Sequence, residues 1–206
     1  MPEEILRTFI AIELDEPLHP ALSRVQTKFK RQMSQRDVKW VAAESIHLTL
    51  KFLGDTPRGR LPEIEAALHA ACAGHAPFEV SIEGRGCFPN IRRPRVIWVA
   101  VREKGQTLAR LQADVEQHVA PLGWPAEERG FSPHLTLGRV ARGLEREVEE
   151  AIGRAVEKTI VEQIGVQRVT AVSLMQSDLR PAGPIYTRLL HVPLAAAPAS
   201  VAGTAD

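Results

Sequence analysis

The sequence predicts an α/β protein made of two copies of one β-α-β-α-β unit, and three observations carry that prediction. Strand-like and helix-like hydrophobic periods alternate along the chain, their spacing in the first half recurs in the second, and the tetrapeptide His-Leu-Thr-Leu stands once in each half. A length of 206 residues suits one or two compact units. With 44% apolar and 25% charged residues the composition is that of a globular protein, which excludes a disordered chain or a collagen-like repeat. Twenty-six basic side chains against 25 acidic ones leave a net charge of +1, which argues against a histone-like or tail-driven nucleic-acid binder but leaves room for a local positive groove. Cys72 and Cys87 allow at most one disulfide. The opening MPEEILRTF lacks a basic leader followed by a long apolar stretch, and no apolar run approaches the ~18 residues of a membrane span. A reducing, cytoplasmic compartment, no membrane association and a monomer are the expectation.

The first strand covers Leu6 to Leu14, where β-branched residues and partial alternation coincide. Pro17 then opens a helix that runs from Leu18 to about Gln35 and puts Leu22, Val25 and Phe29 on one face. VKWVA and IHLTLKFLG make two short strands, the second closed by the turn-like Gly54-Asp55 and Thr56-Pro57. A helix from Leu61 to Cys72 and an alternating strand from Phe78 to Gly84 finish the first copy, and the loop GRGCFPNIRRPR leads into the second. There the order recurs: strand VIWVAV, a helix from Gln106 to Val119, the loop PLGWPAEERGF, strand PHLTLGRV, a helix from Leu144 to Ile160, and a strand from Val166 to Leu174. Phe9 precedes His47 by 38 residues, and Ile97 precedes His134 by 37. PIYTRLLHVPL adds a last strand, and residues 195–206, small and polar, read as a flexible tail.

Two chance copies of HLTL in a chain of this composition have a probability on the order of one in 10⁵. Each copy falls in a strand, where the period of two puts His47 and Thr49 on one face and Leu48 and Leu50 on the other. His134 and Thr136 stand opposite Leu135 and Leu137 in the same way. An approximate two-fold would turn both His/Thr pairs toward one cleft. Two imidazoles, which titrate near neutrality, can divide into one base and one acid around a single substrate, and threonine hydroxyls can donate to anionic oxygens without adding charge. That set suits attack of water on phosphorus.

On these residues the chain resembles the 2H phosphoesterase superfamily, in its RNA 2',3'-cyclic phosphodiesterase branch, once described as 2'-5' RNA ligases. The resemblance spans nearly the whole chain: RTFIAIEL, WVAAESIHLTLKFLG, FEVSIEGRGCFPNIRRPRVIWVAV, ERGFSPHLTLGRV and VTAVSLMQSDLRPAGPIYTRLLHVPL. The family's His-x-Thr-x motif falls on His47 and Thr49 and again on His134 and Thr136. The resemblance implies a bilobal, pseudo-symmetric fold with antiparallel-rich sheets lining a central cleft, so residues 1–194 would form one domain of two intertwined lobes. It also implies that no metal or other cofactor takes part, that His47 is the proton donor and His134 the acceptor, and that the partner is RNA or a nucleotide ending in a 2',3'-cyclic phosphate.

Further residues are weaker candidates for substrate contact. Arg139 comes just after the second motif, but strict alternation from His134 sends it to the opposite face unless a bulge or strand end near Gly138 returns it. The loop from Arg85 to Arg95 sets Arg85, Arg92, Arg93 and Arg95 beside Phe88, a combination that fits single-stranded RNA as well as an ordinary solvated loop. Tyr186, Phe9 and Phe52 can be cleft-floor aromatics or core. His69, Cys72 and His75 do not make a metal site on a helix, because the histidines are six residues apart and project away from each other. No GxxxxGK phosphate loop is present, so ATP-driven ligation has no visible machinery. The alternatives to cyclic-phosphate hydrolysis are a 2'-5' RNA ligase, a 2'-5' phosphodiesterase and a non-catalytic module that clamps RNA ends.

Overall fold

The computed structural model describes residues 3–195 other than 35, 181 and 182, so all but the first residue of the expected tail lies outside the described residues. The first copy contains β1 (Ile5–Glu13), α1 (Leu18–Lys30), β2 (Val38–Trp40), β3 (His47–Pro57), α2 (Leu61–Cys72) and β4 (Phe78–Phe88). The second contains β5 (Val96–Arg102), α3 (Thr107–Val119), β6 (His134–Val140), α4 (Arg146–Lys158), β7 (Gly165–Val169), β8 (Ala171–Arg180) and β9 (Gly183–Pro193). All strands join one curled antiparallel sheet in the order β7-β4-β5-β6-β3-β1-β8-β9, with β2 paired to β6. The α/β class and the duplicated order expected from the sequence are those observed.

The order is a palindrome about its centre. In each copy the first two strands pair with each other, β1 with β3 and β5 with β6, while the third crosses over: β4 pairs with β5, and β8 with β1. The copies therefore exchange an outer strand, and the motif strands β3 and β6 meet in the middle through the pair Leu48 and Leu135. The helices cover one face. Leu48, Leu50, Leu135 and Leu137 are buried in the main core, which also takes up Leu22, Val25 and Phe29 of α1. The other face carries a separate small cluster of Phe9, Ala11 and Met175, with Tyr186 against it. Among the described residues no helix is long and apolar enough to cross a membrane.

Several boundaries differ from expectation. Helix α1 ends at Lys30, five residues early, because beyond buried Phe29 only half-buried Met33 is available to anchor another turn. Strand β3 continues through Gly54 to Pro57; Gly54 takes a positive φ of 71° without ending the ladder, and buried Thr8 and Thr56 share a hydroxyl hydrogen bond of 2.8 Å beyond it. Strand β4 likewise runs past Gly84 to Phe88, with Gly86 flat under the Trp98 ring, where a Cβ would stand 2.3 Å from Trp98 Cζ2. The last strand of the second copy divides at Thr170 into β7 and β8.

Candidate active site

Each motif strand skips one residue of register at the final leucine of its HLTL. On β3, Thr49 faces Ala11 while Lys51 faces Ile10, so Leu50 is the extra residue; on β6, Thr136 faces Trp98 while Gly138 faces Ile97, so Leu137 is. Such a bulge reverses the parity of the residues that follow it, up to the next irregularity. Phe52 thereby pairs with Phe9 and Arg139 with Val96, on the same face as the His/Thr pairs. The bulge that would bring Arg139 back to the cleft is present. Lys51 goes the other way: its Nζ is buried 2.5 Å from Glu116 Oε2 and donates to the Pro125 carbonyl at 2.8 Å.

Continuing the antiparallel count one residue on either side of Leu48–Leu135 sets Thr136 across from His47 and Thr49 across from His134. His47 and His134 are then diagonal neighbours, a relation whose usual backbone spacing is roughly 7–8 Å along the sheet face. Their settings match. Nδ1 of His47 donates to the Ser45 carbonyl at 2.9 Å, and Nδ1 of His134 donates to the Ser132 carbonyl at 2.7 Å. A carbonyl only accepts, so Nδ1 carries the hydrogen in each ring and Nε2 is left for chemistry. Burial is the first cause holding both imidazoles below their ordinary value of 6.5, and the Arg139 charge pushes both further down. The serine carbonyls oppose this in each ring, and Glu13 opposes it at His47.

The aromatic surroundings break the symmetry. His47 stacks on Phe9, with centroids 4.6 Å apart, and receives the edge of Tyr186 at 5.0 Å. Phe9 is only 3% exposed, so it supports the imidazole from beneath rather than offering a surface to substrate. Phe52, 6.1 Å from Phe9, is 61% exposed. His134 instead has Phe88 edge-on at 4.8 Å and Trp98 at 6.3 Å. Arg85, expected in the basic loop, belongs to the extended β4 and donates to the carbonyls of Val156 and Glu157, while Arg95 pairs with Glu149 at 2.5 Å, so these two arginines tie the segment to α4 and its end. Arg92 and Arg93 remain exposed, their N–H groups turned by Asn90 Oδ1.

Side chains without any motif signal also lie on this face. Glu13 is the cross-strand partner of His47; Ser173 Oγ donates to Glu13 Oε1 at 2.5 Å, and Arg188 Nε lies 3.4 Å from the same oxygen. His191 Nδ1 is 3.2 Å from Ser173 Oγ. No local period points to these residues, because they converge only once β1, β8 and β9 are paired. Among the described residues no three His, Cys, Asp or Glu side chains converge as metal ligands. His75 lies in a separate surface concavity and pairs with Asp114 at 2.6 Å, joining the end of α2 to α3.

The chain matches the family described as LigT like Phosphoesterase twice, over residues 12–98 and 99–186, once in each half. A relative from Methanothermobacter thermautotrophicus, named RNA 2',3'-cyclic phosphodiesterase, is 43% identical over 183 residues, covering 88% of this chain and 95% of its own. One from Archaeoglobus fulgidus with the same name is 35% identical over 184 residues, covering 89% and 98%. Among solved structures, a protein of Thermus thermophilus superposes with a TM-score of 0.76 at 30% identity, covering 93% of this chain and 99% of that one.

Proposed function

We propose, since this chain belongs to the LigT-like phosphoesterase family, that it is an RNA 2',3'-cyclic phosphodiesterase working by metal-independent acid–base catalysis between His47 and His134. The observation that carries this reading is the matched pair of imidazoles on the two motif strands that meet at Leu48 and Leu135, each pinned through Nδ1 to a serine carbonyl. His134 Nε2 takes a proton from water as its oxygen bonds to phosphorus. The P–O3' bond breaks, His47 Nε2 delivers its proton to O3', and the phosphate stays on O2'. Thr49 and Thr136 donate to the non-bridging oxygens as charge builds.

The surroundings support a seating for the substrate. The terminal nucleoside lies on the His47 side, with its base on exposed Phe52 and its ribose near Tyr186. Arg139 binds a phosphate oxygen, Phe88 steadies His134, and Arg93 meets the RNA backbone. The reaction belongs in the cytoplasm, where Cys72 and Cys87, both buried and pushed up to about 11 by burial, stay as inert thiols.

The test is a pH profile run with and without EDTA. Chelation leaves the rate unchanged, whereas loss with rescue by Zn²⁺ or Mg²⁺ defeats the proposal. Activity rises with pH as His134 loses its proton and falls as His47 loses its own. Both groups titrate below 6.5, so kcat/KM peaks on the acid side of that value. Arg139→Ala lowers kcat/KM by roughly 10- to 10²-fold, mostly through KM. Because the guanidinium depresses both imidazoles, the same substitution moves the optimum upward.

A further inference from the structure

We propose that Glu13 is a positioning residue that favours the acid role at His47, being the one charged partner that the two histidines do not share. This rests on the two-histidine reading above. The pseudo-two-fold makes the cross-strand partner of His47 equivalent to that of His134: the first is Glu13 and the second is Ala100. The polar and charged contacts of the two rings are otherwise shared. Both have Nδ1 on a serine carbonyl and both feel Arg139 from β6, while His47 is the more deeply buried, so a carboxylate there offsets a stronger desolvation of the cation. A carboxylate beside one ring alone favours the cation there, and the cation is the form that can protonate a leaving oxygen.

The carboxylate is held in place from two further strands. Ser173 of β8 donates to Glu13 Oε1, and Arg188 of β9 approaches the same oxygen, with His191 behind Ser173. These contacts keep Glu13 on the cleft face at the end of β1. Facing His47 are Glu13 from β1, Arg139 from β6 and the ring of Tyr186 from β9, and Glu13 is the anion of that set.

Glu13→Gln removes the charge and keeps an oxygen for Ser173, while Glu13→Asp keeps the charge. Imidazole titration by NMR in the substrate-free protein is the first readout. In E13Q the His47 midpoint falls by about 0.5 to 1 pH unit, the His134 midpoint moves much less, and E13D stays near the parent protein. The released Arg188 charge pushes in the same direction. The second readout is hydrolysis of RNA 2',3'-cyclic phosphate at pH 7, above both midpoints. There kcat/KM of E13Q falls by roughly 3- to 10-fold, and a substrate with sulfur at the bridging 3' position, whose leaving group needs little protonation, loses less than about 2-fold. An unmoved His47 midpoint, equal movement of both midpoints, or an equal loss on the sulfur substrate overturns the proposal. If the parent protein failed to open a cyclic phosphate at all, the reading it rests on would fall, while the imidazole midpoints would still judge Glu13 separately.

Discussion

Replacing either His47 or His134 by alanine is expected to lower turnover of an RNA 2',3'-cyclic phosphate by roughly 10²- to 10⁴-fold, the usual range for losing one proton-transfer group. The two losses differ in kind. H47A lacks the proton that O3' needs in order to leave, and sulfur leaves without one, so a 3'-bridging sulfur restores H47A far more than H134A. The product of the parent enzyme is a 2'-phosphomonoester, because O3' departs. Thr49→Ala and Thr136→Ala cost less than either histidine and act partly on binding, since each removes one of several donors to the phosphate. A 3'-phosphate product, or rescue of H134A instead of H47A, would mean that the substrate sits the other way round between the strands. Retained binding with no turnover in the parent protein would favour a clamp for RNA ends.

The catalytic candidates are legible in the sequence because both motifs alternate with the period of a strand and repeat unchanged, so His47, Thr49, His134 and Thr136 share a face by local geometry alone. The residues just after each motif are not. Phe52 and Arg139 have the wrong parity in the sequence and reach the cleft only through the skipped residues Leu50 and Leu137, and a skip is a property of two paired strands. The exchange of β4 and β8 between copies escapes local reading for the same reason, since their partners are set by long-range pairing. Gly54 and Gly84 read as strand ends, yet the sheet absorbs their positive φ, 71° and 70°, beside irregular register and continues. Glu13 sits in an otherwise ordinary strand segment, and its relation to His47 exists only in the β1–β3 ladder.

Lys51 shows how far one skipped residue carries, and its replacement is the second change with a large expected effect. As a residue of the motif strand it invites a role in holding phosphate, but the bulge at Leu50 sends it into the helix side of the sheet, where its side chain is 2% exposed and that of Glu116 is 10% exposed. Both carboxylate oxygens are occupied, Oε2 by Lys51 at 2.5 Å and Oε1 by Gln112 at 3.1 Å. The attraction of such a pair, about 4 kcal/mol at 4 Å for an effective dielectric of 20, is offset by desolvation of several kcal/mol per ion, so the intact pair is near balance. Removing one partner leaves the other charge buried without compensation. Lys51→Met is therefore expected to lower unfolding free energy by about 3–5 kcal/mol, and the double variant with Glu116→Leu to recover most of that. Urea unfolding measures both. At a temperature where K51M is folded, its kcat/KM on the cyclic phosphate stays near that of the parent, since the side chain lies across the sheet from His47. A fall in kcat/KM with stability unchanged would instead put Lys51 on the phosphate. The equivalent position in the second copy is Gly138, where a Cβ would stand 2.8 Å from Val38 Cγ1, so β2 packs where the first copy has room for a buried lysine.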